Sequence, residues 1–214
     1  MKISGFSFAR NADKLYYPVA ESIKSILPIC DEFYIAIGRG DDDDRTREIV
    51  ESIGDPRIHI IDTVWVDHDK LKGHIYAQQS NVALQQCTGD WCFYIQSDEI
   101  VHEKYLPIIQ KRCEQLVNDS DVEGLLFNYR HFWGDYTHYH INHAWYPREI
   151  RIIRNNCGIE SWNDAQSFRK NNEKIPVASV NAEIFHYGWV RPPHYMNKKR
   201  KEFAIAYRGK EWVE

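Results

Sequence analysis

Residues 91–100 read WCFYIQSDEI. The first five are apolar or aromatic, a run with the length and composition of a buried strand. It breaks at Gln96, Ser97, Asp98 and Glu99, so two adjacent carboxylates stand where a core strand ends. Just upstream, Ile75 to Cys87 carries Ala77, Val82, Ala83 and Leu84 in a helical pattern that Thr88-Gly89-Asp90 closes. The same alternation runs back to the start of the chain. Lys2 to Phe8 reads as a strand, and Lys14 to Leu27 as a helix with Leu15, Val19, Ile23, Ile26 and Leu27 on one side, stopped by Pro28. Glu32 to Ile37 reads as a strand, Thr46 to Ile53 as a helix closed by Gly54-Asp55-Pro56, and Arg57 to Ile61 as a third strand.

Strands alternating with helices predict an α/β fold, a mostly parallel central sheet flanked by helices. Sheets of that kind bind ligands beyond the carboxyl ends of their strands. Three polar clusters fall at such ends: Arg10-Asn11, Asp41 to Asp44, and Gln96 to Glu99. The pattern therefore places them along one edge.

The second half is less regular. Glu103 to Val117 reads as a helix, and Gly124 to Tyr129 and Glu149 to Arg154 as strands. Between those strands lies the aromatic and histidine-rich stretch RHFWGDYTHYHINHAWYP, residues 130–147. A final helix is expected around NKKRKEF, residues 197–203. With no Gly/Ser linker and no repeat, residues 1–214 are expected to form one domain.

Composition narrows the function classes. The 214 residues are 43% hydrophobic, enough for a full core. A net charge of -4 argues against a nucleic-acid partner. No stretch approaches the roughly 20 apolar residues that span a bilayer, and the first residues read as a strand rather than a leader. Cys30, Cys87, Cys92, Cys113 and Cys157 have neither Cys-x-x-Cys nor zinc spacing, which fits free thiols in a reducing cytoplasm. The closing RGKEWVE carries no terminus signal.

Four stretches together resemble the family 2 glycosyltransferases of the GT-A fold. FSFARNADKLYYPVAESIKSI is similar to the opening strand, Asn-bearing loop and helix. GRGDDDDRTREIVESI resembles the acidic turn that ends in Asp-x-Thr, here Asp44-Arg45-Thr46. AQQSNVALQQCTGDWCFYIQSDEI resembles the helix, turn and strand leading to a metal-binding Asp-x-Asp, with Gln96 at the first acid's position. IFHYGWVR resembles the segment with a metal-binding His. The resemblance implies a Rossmann-like nucleotide-binding fold, with residues 1–100 as the nucleotide-sugar-binding half and 101–214 as the acceptor-binding half of one domain, and a hexosyl transfer, inverting and metal-dependent, from a nucleotide-sugar donor of UDP or GDP type. It also implies a glycan, lipid-linked or small-molecule acceptor, in the manner of cell-envelope polysaccharide synthesis.

The residues then take expected roles. A diphosphate leaving group needs its charge neutralised, which a hard divalent cation, Mn²⁺ or Mg²⁺, does as a Lewis acid. Asp98 is the first ligand, and His186 the second by the resemblance. Glu99 either binds metal or sugar, or opens a following helix. Donor contacts are expected from Arg10, Asn11, Asp41, Asp42, Asp44, Gln96 and Ser97, and from Gln78 and Asn81, three apart on one helix face. Asn11 and Asp44 are equally placed to cap helices. Inversion needs one base near the acceptor hydroxyl. GIESWNDAQSF offers Glu160 and Asp164, with Asp164 preferred; its competing role is the cap of a helix. Trp133, Trp145 and Trp162 are candidate sugar-stacking surfaces beside His131, His138, His140 and His143, whose spacing does not match a helical zinc pair.

Residues 198–201, KKRK, read as a solvated helix face or as a contact to an acceptor phosphate, the donor diphosphate or an anionic membrane. The expected location is the cytoplasm, with peripheral contact at the inner membrane face through this helix. Two rival readings remain open. A nucleotidyltransferase normally has a Gly-rich basic loop after the first strand, which FARNADK lacks. A catalytically decayed glycan-binding or scaffold protein is compatible with Gln96.

Overall fold

The computed structural model describes residues 1–66, 73–141 and 145–208, so His143 lies outside the described residues. The strands are β1 (Ile3–Ala9), β2 (Glu32–Gly38), β3 (Ile58–Thr63), β4 (Trp91–Tyr94), β5 (Glu99–Val101), β6 (Gly124–Trp133), β7 (Arg148–Arg154), β8 (Ile159–Trp162), β9 (Ser167–Lys170) and β10 (Val177–Trp189). The helices are α1 (Val19–Ile26), α2 (Thr46–Glu51), α3 (His74–Leu84), α4 (Leu106–Leu116) and α5 (Pro193–Arg208).

Eight strands form one sheet in the order β3-β2-β1-β4-β7-β6-β10-β5. β1 to β4 are mutually parallel where they pair, while β7 runs against β4 and β6. The α/β expectation is borne out, with a mixed second half. Chain order turns around at β1: β2 and β3 lie on one side of it and β4 on the other. That reversal opens a crevice at the carboxyl ends of β1 and β4, the place where such sheets hold ligands.

β1, β2 and β4 are largely apolar because both their faces are covered, while the edge strand β3 is only half-buried. Phe6, Phe33, Ile35, Trp91, Phe93 and Tyr94 are fully buried, in layers on either side of the sheet. The first helix starts later than the periodicity predicts, at Val19 instead of Lys14. Asn11 and Tyr16 take left-handed φ values of 53° and 57°, which no helix accommodates, and Pro18 then supplies a pre-set φ just before the first turn.

Of the alternatives for Glu99, the one that has it open a helix is not what the structure shows. Glu99 begins β5, paired antiparallel with β10, and α4 starts only at Leu106. The cause is a fully buried ion pair. Arg151 donates from Nε to Glu99 Oε2 at 2.9 Å and from a terminal nitrogen to Oε1 at 2.7 Å. Tyr129 Oη donates to Oε1 at 2.6 Å, and the Gln96 backbone N–H to Oε2 at 3.1 Å. The other terminal nitrogen of Arg151 donates to the carbonyls of Ile150 and Gln166. A buried pair is tolerated when its remaining donors and acceptors are satisfied this fully.

Removing one partner strands a charge without water. Arg151→Met is expected to cost about 3–5 kcal/mol in urea unfolding, and pairing it with Glu99→Leu to recover much of that loss. Equal losses in the single and double variants would show that the ion pair is not what holds these strands.

Candidate active site

The carboxyl end of β4 leads through Gln96 and Ser97 to Asp98. The Asp98 carbonyl accepts the backbone N–H of Tyr187 at 2.8 Å, and β5 places Glu99 opposite His186 on β10. This pairing brings Asp98 and His186 together, with Asp98 Oδ2 3.7 Å from His186 Nε2.

Hydrogen bonding fixes which nitrogen of His186 carries a proton. His131 Nε2 lies 2.8 Å from the Tyr146 carbonyl, which can only accept, so that nitrogen donates. Neutral His131 then presents a bare Nδ1, 2.9 Å from His186 Nδ1, which must donate in turn. His186 Nε2 is left with a lone pair facing the Asp98 carboxylate. Burial holds the His186 imidazolium down, with a pKa of about 4, so the ring is neutral at pH 7.

Two acceptors facing each other call for a cation between them. Gly188 keeps that space open: a Cβ there would sit 2.5 Å from His186 Nε2 and 3.0 Å from Asp98 Oδ2. The donor set of one carboxylate and one imidazole fits Mn²⁺ or Mg²⁺ of the kind that completes its shell with water and substrate phosphate. Among the described residues no cluster of three or more His, Cys, Asp or Glu ligands forms an all-protein cage.

A cation already approaches this cradle. Lys199 Nζ, from α5, lies 2.8 Å from the Gly188 carbonyl and 3.3 Å from Asp98 Oδ2. Burial lowers its pKa to about 8, against the pull of Asp98. Burial likewise pushes the Asp98 carboxyl up, but Lys199, His186 and Arg191 outweigh it and bring it to about 2. Of KKRK, Lys199 therefore turns inward while Lys198, Arg200 and Lys201 are exposed.

Asp164 occupies the turn of the β8–β9 hairpin, so its competing role as a helix cap does not hold. Asn163 and Ala165 on either side have φ of 53° and 62°, left-handed values that exclude a helical first turn. Ala165 is nonetheless fully buried, so the packed hairpin holds this uncommon backbone. Tyr207 Oη donates to Asp164 Oδ2. Gln96 Nε2 donates to the Ala165 carbonyl at 3.1 Å, which ties the turn carrying Asp164 to the strand tip carrying Asp98. An aspartate at position 96 has no donor for that bond.

The other sequence-selected residues fall into two groups. Near the ends of β2 and β3 lies a cavity of about 450 Å³ lined by Gly38, Asp41, Asp42, Asp44, Arg47 and Asp62, among others. Asp41 engages Lys14 at 2.8 Å, while Asp42 is exposed. The second group fastens the chain to itself. Asn11 Oδ1 accepts the Asp41 N–H, and Asp44 accepts from Thr46 N–H and Oγ1 and from the Asn11 N–H. Arg10 donates to the Arg39 carbonyl and stacks on Trp65, and Ser97 donates to the Phe8 carbonyl. Asn81 accepts the Ser161 N–H from β8, whereas Gln78 is exposed. Their helix neighbour Gln79 is buried and accepts from Thr63 at the end of β3.

On the far side of Asp98 the aromatic residues converge. Trp133 stacks on Trp189 at 5.0 Å, and Trp145 reaches both Trp189, at 5.6 Å, and His186, at 6.4 Å. His140 lies between Trp133 and Trp145, while His138 pairs with Asp135 on an exposed turn. Trp162 is set apart on β8, beneath the Arg169 guanidinium. Trp189, Arg191 and Tyr207 were given no role from the sequence, and Lys199 was weighed only as part of KKRK. The period-2 burial of Val180, Ala182, Ile184, His186 and Gly188 is the signal that would have revealed β10 and hence Trp189.

A buried neutral histidine makes folding pH-dependent. The folded pKa of His186 lies below the ordinary value of 6.5, so stability is full above about pH 6.5 and falls as pH drops toward 4. We expect up to about 3 kcal/mol lost over that window in urea titrations, and a shallower slope in His186→Gln. An unchanged slope in the variant would show that His186 does not carry the effect.

No family model and no curated protein matches the chain. Solved structures do. Staphylococcus aureus TarS overlays on 96% of this chain and 39% of its own, with TM-score 0.54 and 16% identity. TarS 1–349 in complex with UDP overlays on 96% of this chain and 65% of its own, with TM-score 0.51 and 16% identity. The chain thus spans between about a third and two thirds of the structures it matches. Glucosyl-3-phosphoglycerate synthase from Mycobacterium tuberculosis overlays on 61% of the chain at TM-score 0.40, too loosely to bear on it. The fold of this chain is that of the GT-A glycosyltransferases.

Proposed function

We propose that the protein is a metal-dependent, inverting glycosyltransferase of the family 2 type, moving a hexosyl group from a nucleotide-sugar donor to a glycan, lipid-linked or small-molecule acceptor. The observation that carries the reading is the Asp98–His186 cradle. Two acceptors face each other at 3.7 Å beside the chain-order reversal of a GT-A sheet, with a second carboxylate, Asp164, tied to the same strand tip. The UDP complex of the TarS fragment supports UDP as the first donor nucleotide to try.

In this reading Asp98 and His186 hold Mn²⁺ or Mg²⁺, which supplies Lewis-acid neutralisation of the diphosphate. The acidic cavity at the ends of β2 and β3 is where base and ribose lie, with Asp41 and Asp42 as contacts. Asp44 lines it, Asn11 and Arg10 brace its wall through Asp41 and Arg39, and Gln96 and Ser97 brace the neighbouring tip of β4. Asp164 is the base. Tyr207 engages Oδ2, so Oδ1 is left to take the proton of the acceptor hydroxyl. The acceptor oxygen then bonds to the anomeric carbon as the bond from that carbon to phosphate oxygen breaks, and the electron pair leaves on the diphosphate. The Trp133, Trp145 and Trp189 surface stacks the acceptor sugar, and exposed Lys198, Arg200 and Lys201 suit an anionic acceptor or its membrane surface.

Calorimetry with UDP and GDP tests donor binding: Mn²⁺ is expected to tighten one of them, and Asp98→Ala to remove that gain. Nucleotide binding in neither condition would end the transferase reading. Once a donor is found, Asp164→Asn is expected to lower kcat about 10²–10⁴-fold with little change in donor KM. An unchanged kcat would remove Asp164 as the base.

A further inference from the structure

Gly73 stands where any side chain would collide with Asp164. It is buried, takes a left-handed φ of 74° and immediately precedes α3. A Cβ there would sit 2.8 Å from Asp164 Cβ, 3.1 Å from Tyr207 Oη and 3.2 Å from Tyr207 Cζ. Carbon atoms in contact prefer about 3.5–4.0 Å, so a larger residue has to push Asp164 or Tyr207 aside. Gly158, just before β8, has nearly the same backbone, with φ of 71°, but nothing lies within 4 Å of its Cβ position. Backbone conformation alone calls for glycine at 158; at 73 the crowding around Asp164 calls for it as well.

The turn carrying Asp164 is held from two helices. On one side α3 meets the hairpin at two points: Asn81 Oδ1 accepts the Ser161 N–H at 2.8 Å, and Gly73 abuts Asp164. A helix rises about 12 Å from 73 to 81, and a strand covers about 10 Å from 161 to 164, so α3 runs beside β8 in the opposite direction and sets the height of the turn. On the other side α5 supplies Tyr207, which donates to Asp164 Oδ2. Phe203, one helical turn earlier, stacks on the Tyr207 ring at 4.2 Å and steadies it. The last torsion of an aspartate is broad, so an untethered carboxylate presents either oxygen in many directions. With Oδ2 taken by the phenol and Cβ pressed against bare glycine backbone, Oδ1 keeps one orientation.

We propose that Gly73 and Tyr207 are positioning residues for Asp164, acting from α3 and α5 to hold Oδ1 toward the attacking hydroxyl. Both act through the carboxylate and not on the substrate. The proposal rests on the reading of Asp164 as the base of a sugar transfer. Its weight follows from geometry: a misplacement of about 1 Å at a reacting group can cost about 10²-fold in rate.

The test measures hydrolysis of UDP-glucose and UDP-N-acetylglucosamine with Mn²⁺, water standing in for the acceptor. The water oxygen bonds to the anomeric carbon, its proton passes to Asp164, and UDP leaves with the electron pair. Tyr207→Phe is expected to lower kcat about tenfold or more and Gly73→Ala about 10²-fold, with donor KM and the calorimetric affinity for UDP unchanged. Gly158→Ala carries the backbone strain without the crowding and is expected to keep the wild-type kcat. In an Asp164→Asn background neither Gly73→Ala nor Tyr207→Phe is expected to lower kcat further, because a residue that acts through the carboxylate is silent once the carboxylate is gone. Should Gly73→Ala fail to fold, as thermal melting would show, Gly73→Asn, which tolerates the left-handed backbone, and Tyr207→Phe carry the comparison.

A second readout needs no turnover. The Asp164 Cγ signal of ¹³C-labelled protein, identified by its loss in Asp164→Asn, is expected to shift in Tyr207→Phe and Gly73→Ala and to stay in place in Gly158→Ala. Shifted signals in a protein that binds UDP support the proposal even where hydrolysis is too slow to follow. An unmoved signal, an equal loss of kcat in Gly158→Ala, or losses that persist in the Asp164→Asn background overturn it. Turnover that needs Asp164 but ignores Gly73 and Tyr207 defeats the positioning role and leaves the transferase reading standing. UDP binding with Asp164→Asn as active as wild type removes the base and this proposal together, and binding of neither UDP nor GDP ends the transferase reading and the proposal with it.

Discussion

The bidentate pair between Glu99 and Arg151 is the constraint on which the site depends. Both side chains are fully buried. The energy of such a pair depends steeply on geometry, because a small displacement loses charge-assisted bonds that water cannot replace. Glu99 is therefore held in place, and with it the residue before it. Arg151 sits on the central strand β7 and also donates to the Gln166 carbonyl in the β8–β9 turn. One guanidinium thus fixes the strand tip carrying Asp98 and the hairpin turn carrying Asp164.

Gln96 makes the second connection between those two places. Its amide donates to the Ala165 carbonyl, a bond that a carboxylate could not make. The position where the resembling family has an acid is used here as a strut. The cation cradle then rests on one carboxylate and one imidazole, with Gly188 leaving the room. The tautomer chain from Tyr146 through His131 to His186 aims the free lone pair at Asp98.

Helix α5 brings the remaining chemistry. Lys199 reaches Asp98 and Tyr207 reaches Asp164, so each carboxylate is met by a side chain from the same helix. KKRK is accordingly a divided motif. Three of its residues face outward, and the fourth is committed to the buried Asp98.

The alternation of apolar strands and helices through residue 95 determined the parallel half-sheet, because a strand covered on both faces must be apolar along its length. The same alternation put Arg10, Asp41 to Asp44, and Gln96 to Asp98 on one edge, since all follow parallel strands. What sequence could not settle is which polar groups stay free. Asn11, Asp44 and Asn81 are types that bind ligands or fasten loops equally well, and only the fold shows their oxygens taken by backbone N–H groups. Glu99 is adjacent to Asp98 in sequence, but Asp98 lies in the turn after β4 and Glu99 begins β5, and only the fold shows one acid meeting Arg151 and the other His186 and Lys199. His131 with His186, and Lys199 with Asp98, are pairs separated by 55 and 101 residues. Their meeting depends on sheet order and helix docking, long-range packing that no local pattern encodes.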